Sequence, residues 1–162
     1  MKTATPGVID VEASGFGRGS YPIEVGYVRP DGQGWCSLVK PTEDWQHWDE
    51  QAQSVHGIAR ELLERHGRSP LDVARQLNQD LEGLTVYTDA WGNDMPWLHK
   101  LHDAADMPMR YRLAPVAQLL HDEHLPALGT LRKEAFQVLG IARHRASSDA
   151  RALQWALGQL LN

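Results

Sequence analysis

The sequence predicts an α/β fold in which a mixed sheet is covered by helices, and three observations carry that reading. Up to Lys40 the chain holds three short segments rich in β-branched and aromatic residues, separated by Gly, Pro and Asp. From about Trp45 the apolar residues recur at three- and four-residue spacing instead of alternating. Further on, short strand-like runs return between the helical ones, so the predicted order is β-β-β-α-α-β-α-β-α-α. At 162 residues the chain is expected to form one domain over residues 1–162, long enough to bury a core.

The first three strands are GVIDVEA (Gly7–Ala13), PIEVGYV (Pro22–Val28) and WCSLV (Trp35–Val39). Between the second and third, PDGQG has the composition of a hairpin turn, so these strands should run antiparallel in succession. SVHGIARELLERHG (Ser54–Gly67) and SPLDVARQLNQDLEG (Ser69–Gly83) have helical spacing. In the second, Ser69 can cap, Pro70 suits the first helical position and Gly83 ends the run. LTVYTD (Leu84–Asp89) reads as a short strand and NDMPWLHKLHDAA (Asn93–Ala105) as a helix opening on Asn93 and Asp94. MRYRLAPV (Met109–Val116) is another strand, and LGTLRKEAFQVLG (Leu128–Gly140) and SSDARALQWALGQLL (Ser147–Leu161) are helices. Ser147 or Ser148 is the expected cap of the last helix, whose apolar face carries Ala150, Leu153, Leu157 and Leu160.

Composition removes several classes of function. Hydrophobic content of 42% with 23% charged residues is that of a folded domain rather than a disordered segment. A formal net charge of −5 excludes a protein that holds long nucleic acid by a basic surface alone. It leaves room for a nuclease, because bound divalent cations neutralise an acidic site. No apolar run approaches the ~18 residues of a membrane span, and MKTATPGVID contains no apolar leader region. With Cys36 as its single cysteine the chain can form no internal disulfide, so a soluble, cytoplasmic setting is expected.

The chemistry centres on acids. Side chains at i and i+2 of a strand share a face, so Asp10 and Glu12 project together from an otherwise apolar strand. Two like charges so close raise each other's pKa unless a cation lies between them, and hard divalent ions such as Mg²⁺ or Mn²⁺ prefer carboxylate oxygens. The same D-x-E spacing at Asp80–Glu82 falls near the polar end of a helix, where it reads as a solvated pair. Only Asp10–Glu12 runs from an apolar strand into a glycine loop; the bland alternative for it is an edge strand facing solvent. In VYTDAWGNDMPWL, Asp94 opens a helix, where an acid is also favoured by the helix dipole, and Asp89 competes with it in the same loop. His144 and Asp149 form the one H-x-x-x-x-D of the chain, in a loop and the first turn of the last helix.

Taken together these residues resemble the DEDDh 3′–5′ exonuclease superfamily, of RNase H-like fold, which includes the polymerase III proofreading subunit, ribonuclease T and oligoribonuclease. IDVEASGFG matches the family's first motif, with Ser14 in the place of its Thr, followed by Gly15, and Phe16 in the place of its apolar residue. Asp94 corresponds to the second motif, His144 and Asp149 to the third, and VHGI (Val55–Ile58) to a further common segment. The turn before Asp94 departs from the family: Asn93 precedes the acid directly, and Trp91 and Gly92 fill the loop.

The resemblance implies an RNase H-like mixed five-stranded sheet flanked by helices, with two divalent cations, Mg²⁺ or Mn²⁺, held by Asp10, Glu12, Asp94 and Asp149. His144 would then be the general base, since a histidine titrates near neutral pH. Phe16 would stack on the terminal base, with plain core packing as its alternative. Ser14 and Gly15 join Phe16 as expected substrate contacts, and Arg145, with Arg143 and Arg151 around the third motif, could contact phosphates, with surface solvation as its default reading. The implied partner is the 3′ end of single-stranded RNA or DNA, with homodimers known among relatives and Trp45 and Trp48 as exposed interface candidates. Two rivals stand beside this reading. A phosphate-cradling nucleotide site is opposed by SGFGRGS, whose Gly15, Gly17 and Gly19 miss the G-x-G-x-x-G spacing and lead into a strand. A non-catalytic nucleic-acid or partner-binding module on the same fold is the other, and the complete set of acids weighs against it.

Overall fold

The computed structural model describes residues 4–162; Met1, Lys2 and Thr3, at the head of the segment read as free of a leader, lie outside the described residues. Three β-rich segments form β1 (Gly7–Ala13), β2 (Pro22–Val28) and β3 (Gly34–Leu38), paired antiparallel in succession. The β2–β3 turn closes as a hairpin, with the Arg29 N–H donating to Gln33 O at 2.8 Å and Gly32 at φ 87°. The helical region that follows contains α1 (Glu50–His56), α2 (Arg60–His66) and α3 (Pro70–Leu81). β4 (Thr85–Thr88), α4 (Trp91–Ala104) and β5 (Arg112–Pro115) form a parallel β-α-β unit. Two short 3₁₀ turns lead to α5 (Leu125–Leu139) and α6 (Ala146–Leu161).

The five strands make one mixed sheet of order β3-β2-β1-β4-β5, flanked by six helices. Alternation along β1 divides its side chains between the layers. Ile9, Val11 and Ala13 enter a core with Tyr21, Ile23, Leu77, Leu98 and Leu101, under α3 and α4. Val8 enters a second core with Leu128, Leu153 and Leu157, under α5 and α6. Asp10 and Glu12 follow Val8 in the two-residue period, so they share the α5–α6 side. β1 and β4 are parallel, so their carboxyl ends open at the same edge, where α/β sheets place their crevices.

Several elements differ from the expectation. The helix predicted over Ser54–Gly67 is two helices, because Gly57 takes the left-handed conformation (φ 71°, ψ 16°) and closes α1. The break lets His56 Nδ1 accept the Ile58 N–H at 3.0 Å while Ile58 enters the core. α4 begins at Trp91, ahead of Asn93, which puts Asp94 inside its first turn. Neither Ser147 nor Ser148 caps α6: its cap residue is Arg145 and makes no side-chain cap bond. Asp80 is not a solvated acid, since its carboxylate accepts from the Tyr27 hydroxyl and from Gln76 Nε2. Trp45 is only 6% exposed and stacks on Tyr21, so it is core rather than interface. Trp48 is half-buried, with its indole N–H bonded to Gln53 Oε1 at 2.9 Å.

α6 reaches the sheet through a glycine. Gly26 is the cross-strand partner of Asp10, and a Cβ there would lie 2.7 Å from the Ala146 carbonyl carbon and from Ser147 N. A side chain would push the start of α6 off β2. Gly26→Ala should therefore lower stability by about 1–3 kcal/mol, as overpacking does, in urea denaturation followed by circular dichroism; an unchanged midpoint would refute the close approach.

Candidate metal centre

Three elements deliver acids to one place. Asp10 and Glu12 come from β1 and Asp149 from the first turn of α6, and one carboxylate oxygen from each lies within 4.8 Å of the others. Asp94, from the first turn of α4, is 1% exposed and lies outside that triplet, yet its charge acts on Asp10. Its Oδ2 accepts from the Thr88 hydroxyl at 2.5 Å, and Thr88 Oγ1 in turn accepts the Ala90 N–H at 3.1 Å. Asp89, the competing acid, is instead paired with Arg132 of α5.

The electrostatics are those of an acid cluster in which burial and mutual repulsion outweigh the nearby positive charges. Burial, then Asp94, Glu12 and Asp149, push the Asp10 carboxyl well above the ordinary carboxylate range. Burial followed by the Asp149 charge drives Glu12 up to about 8. Burial raises Asp94 to about 7, against the opposing bond from Thr88. Asp149 is also raised by burial, opposed by the His144 N–H that Oδ1 accepts at 3.0 Å. Asp10 Oδ2 and Asp94 Oδ1 are both buried and take no hydrogen bond from the described residues. Oxygen-only donors, unpartnered lone pairs and mutual repulsion fit a hard divalent cation. The residues that can hold it are Asp10, Glu12 and Asp149, with Asp94 next to them.

The remaining expected site residues are placed as follows. His144 is exposed, sits at φ 63° before α6, and lines a groove of about 280 Å³ with Arg132, Lys133, Phe136, Arg143 and Asp149. Phe16 is not core: it is 70% exposed, with its ring 6.0 Å from that of Trp97. Ser14 is buried, and its hydroxyl accepts the Tyr21 N–H at 3.1 Å and shares a bond with His47 Nδ1 at 2.9 Å. A Cβ on Gly15 would fall 2.6 Å from His47 Cε1, so Ser14 and Gly15 tie the end of β1 to the loop before α1. The Arg145 guanidinium, expected to meet phosphates, is bound to Glu24 of β2.

Sequence reasoning missed Glu24 and Thr88. Glu24 left a signal, since it is the single charge in PIEVGYV, all of whose residues are buried. Thr88 left none, because its importance comes from facing Asp94 across a turn.

No protein-family model and no curated protein sequence matches this chain. Solved structures do match. E. coli Exonuclease I in complex with a dA16 oligonucleotide aligns at a TM-score of 0.71 and 14% identity, over 99% of this chain and 42% of that one. Exonuclease I from Methylocaldum szegediense aligns at 0.69 and 17% identity, over 95% of this chain and 40% of that one. S. pombe Pop2p in its Mg²⁺ and Mn²⁺ bound form aligns at 0.67 and 14% identity, over 97% of this chain and 82% of that one. The chain thus spans less than half of the Exonuclease I chains. The mixed sheet and its flanking helices are the RNase H-like fold of these structures. Among the described residues, no helix is long and apolar enough to cross a membrane.

The raised carboxyls set a pH dependence. An unfolded chain releases these protons at the ordinary 3.8–4.5, whereas Asp94 and Glu12 hold theirs to about 7 and about 8. Between those limits the folded state binds more protons, so stability is lost as pH rises. Metal-free protein should melt at progressively lower temperature from pH 5 to pH 8, and saturating Mn²⁺, which needs ionised carboxylates, should reverse the slope. A metal-free melting temperature that climbs over this range would contradict the clustering.

Proposed function

We propose that the chain is a metal-dependent 3′–5′ exonuclease of DEDDh type. On this reading it hydrolyses phosphodiester bonds from the 3′ end of single-stranded RNA or DNA and releases 5′-mononucleotides. The observation that carries it is the meeting of Asp10, Glu12 and Asp149, with Asp94 beside them, in an acid cluster where Asp10 Oδ2 and Asp94 Oδ1 are buried without a partner among the described residues. The fold shared with Exonuclease I, found with a dA16 oligonucleotide, and with Pop2p, found with Mg²⁺ and Mn²⁺, supports both the substrate class and the cations.

Asp10, Glu12, Asp94 and Asp149 would hold two divalent cations, Mg²⁺ or Mn²⁺. Bound there, such ions supply charge stabilisation for the attacking and leaving oxygens of an in-line displacement at phosphorus. The chain's own part is to hold that geometry and to move a proton. Water attacks the terminal phosphorus, a ring nitrogen of His144 takes its proton, and the bond from phosphorus to the 3′ oxygen breaks. The 3′ oxygen leaves and takes a proton from solvent, and the freed nucleotide keeps its 5′ phosphate. His144 is exposed beside Asp149, at the mouth of the cluster, where a base must be reachable. Phe16, held out of the core next to Trp97, offers a face on which the terminal base stacks.

A cleavage assay with 3′-labelled and 5′-labelled RNA and DNA oligonucleotides in Mn²⁺ tests this reading. The 3′ label should be released first as a mononucleotide; no cleavage of any short single strand would refute the enzyme. Asp10→Asn should remain folded and lose activity by orders of magnitude, and near-normal turnover would remove it from the site. His144→Ala should slow the reaction by about 10²–10⁴-fold, the usual worth of a general base, with Mn²⁺ binding retained in calorimetry.

A further inference from the structure

Glu24 is 2% exposed in the middle of β2, and its cross-strand partner is Glu12. A buried carboxylate is costly without compensation, and this one is compensated from across the sheet. Arg145 Nε donates to Oε1 at 3.1 Å and to Oε2 at 3.2 Å, and its Nη2 donates to Oε2 at 2.7 Å. The Ala146 N–H donates to Oε1 at 2.7 Å. Ala146 is the first residue of α6, a helix with no side-chain cap of its own. A strand carboxylate therefore satisfies the first amide of the helix and faces the positive end of its dipole.

We propose that Glu24 and Arg145 form a clamp that positions Asp149 in the metal-binding set, an inference that rests on the function proposed above. The linkage is short. The Asp149 N–H donates to Arg145 O at 2.8 Å, so the acid stands one turn from the clamped residue, and β2 is bonded in register to the strand carrying Asp10 and Glu12. Repulsion among the acids pushes α6 away from β1, and the four bonds to Glu24 hold it in place. Arg145 is accordingly a positioning residue: its guanidinium is spent on Glu24 rather than on a phosphate.

The charge of Arg145 makes the test decisive, because two explanations predict opposite signs. If the guanidinium acted on the site only through its charge, Arg145→Ala would tighten cation binding. If it positions Asp149, the same change weakens it. Mn²⁺ titration by calorimetry on the wild-type chain, Arg145→Ala and Glu24→Gln should show both variants weaker by about 10–100-fold, as for other groups that orient metal ligands. Glu24→Gln leaves no unpaired buried charge, so it keeps the test open if Arg145→Ala does not fold. In the metal-free proteins, amide exchange at Ala146 should speed up by about tenfold or more in both variants. Arg145→Ala binding Mn²⁺ as tightly as wild type, or more tightly, overturns the proposal, as does unchanged exchange at Ala146. Loss of metal-free oligonucleotide binding with Mn²⁺ affinity intact would make Arg145 a phosphate contact and overturn it too. If the wild-type chain itself takes up no Mn²⁺, the nuclease reading fails and the role toward metal with it. Amide exchange still decides whether the clamp exists.

Discussion

Carboxylates gathered in a poorly solvated pocket repel one another, and the architecture around the end of β1 works against that repulsion. Asp10 and Glu12 cannot separate, because the strand period holds them on one face of the central strand. Apolar packing on both sides of that strand, with Ile9 and Val11 under α3 and α4 and Val8 under α5 and α6, keeps it from shifting. Asp94 and Asp149 come from helix first turns, where the dipole favours negative charge and partly offsets their burial. The pKa values of the cluster record the strain that remains, all moved toward the protonated form.

The chain treats its other acids differently, and the contrast separates carboxylates satisfied inside the protein from those that are not. Glu24 receives a guanidinium and a helix amide, Asp89 receives Arg132, and Asp80 receives Tyr27 and Gln76. Each is satisfied inside the protein. Asp10 and Asp94 each keep a buried oxygen with no protein donor. Burial without a partner is tolerated where something outside the chain completes the bonding, as a cation would under the proposed function.

Much of this was legible from residue order. The strand period of VIDVE put Asp10 and Glu12 on one face, and the turn chemistry of PDGQG set the antiparallel start. Ser69 and Pro70 marked the start of α3, where the Asp72 N–H donates to Ser69 Oγ. The site was read as five residues in three motifs, of which Asp10, Glu12 and Asp149 lie within one cluster. The misreadings share a cause. Gly57 sits inside a helical period that continues on both sides, so spacing alone could not reveal the left-handed turn. Trp45 lies in a stretch without strong periodicity, and its burial depends on stacking against Tyr21 from a different segment.

By itself, then, the sequence determined the order of elements apart from the helix break at Gly57, the face of β1 that carries charge and the residue types available for metal chemistry. These depend on local backbone periods and on composition, which the chain carries at every point. Tertiary structure alone decided which acid joins the cluster and which is neutralised. Asp94 and Asp89 are five residues apart with similar local surroundings, and only the packing of α5 brings Arg132 to Asp89 and leaves Asp94 beside Asp10. The same holds for Arg145, whose guanidinium the fold binds to Glu24, because that partner lies 121 residues away. A carboxylate's role is set by the charge that reaches it, and contacts over that distance exist only once the sheet has formed.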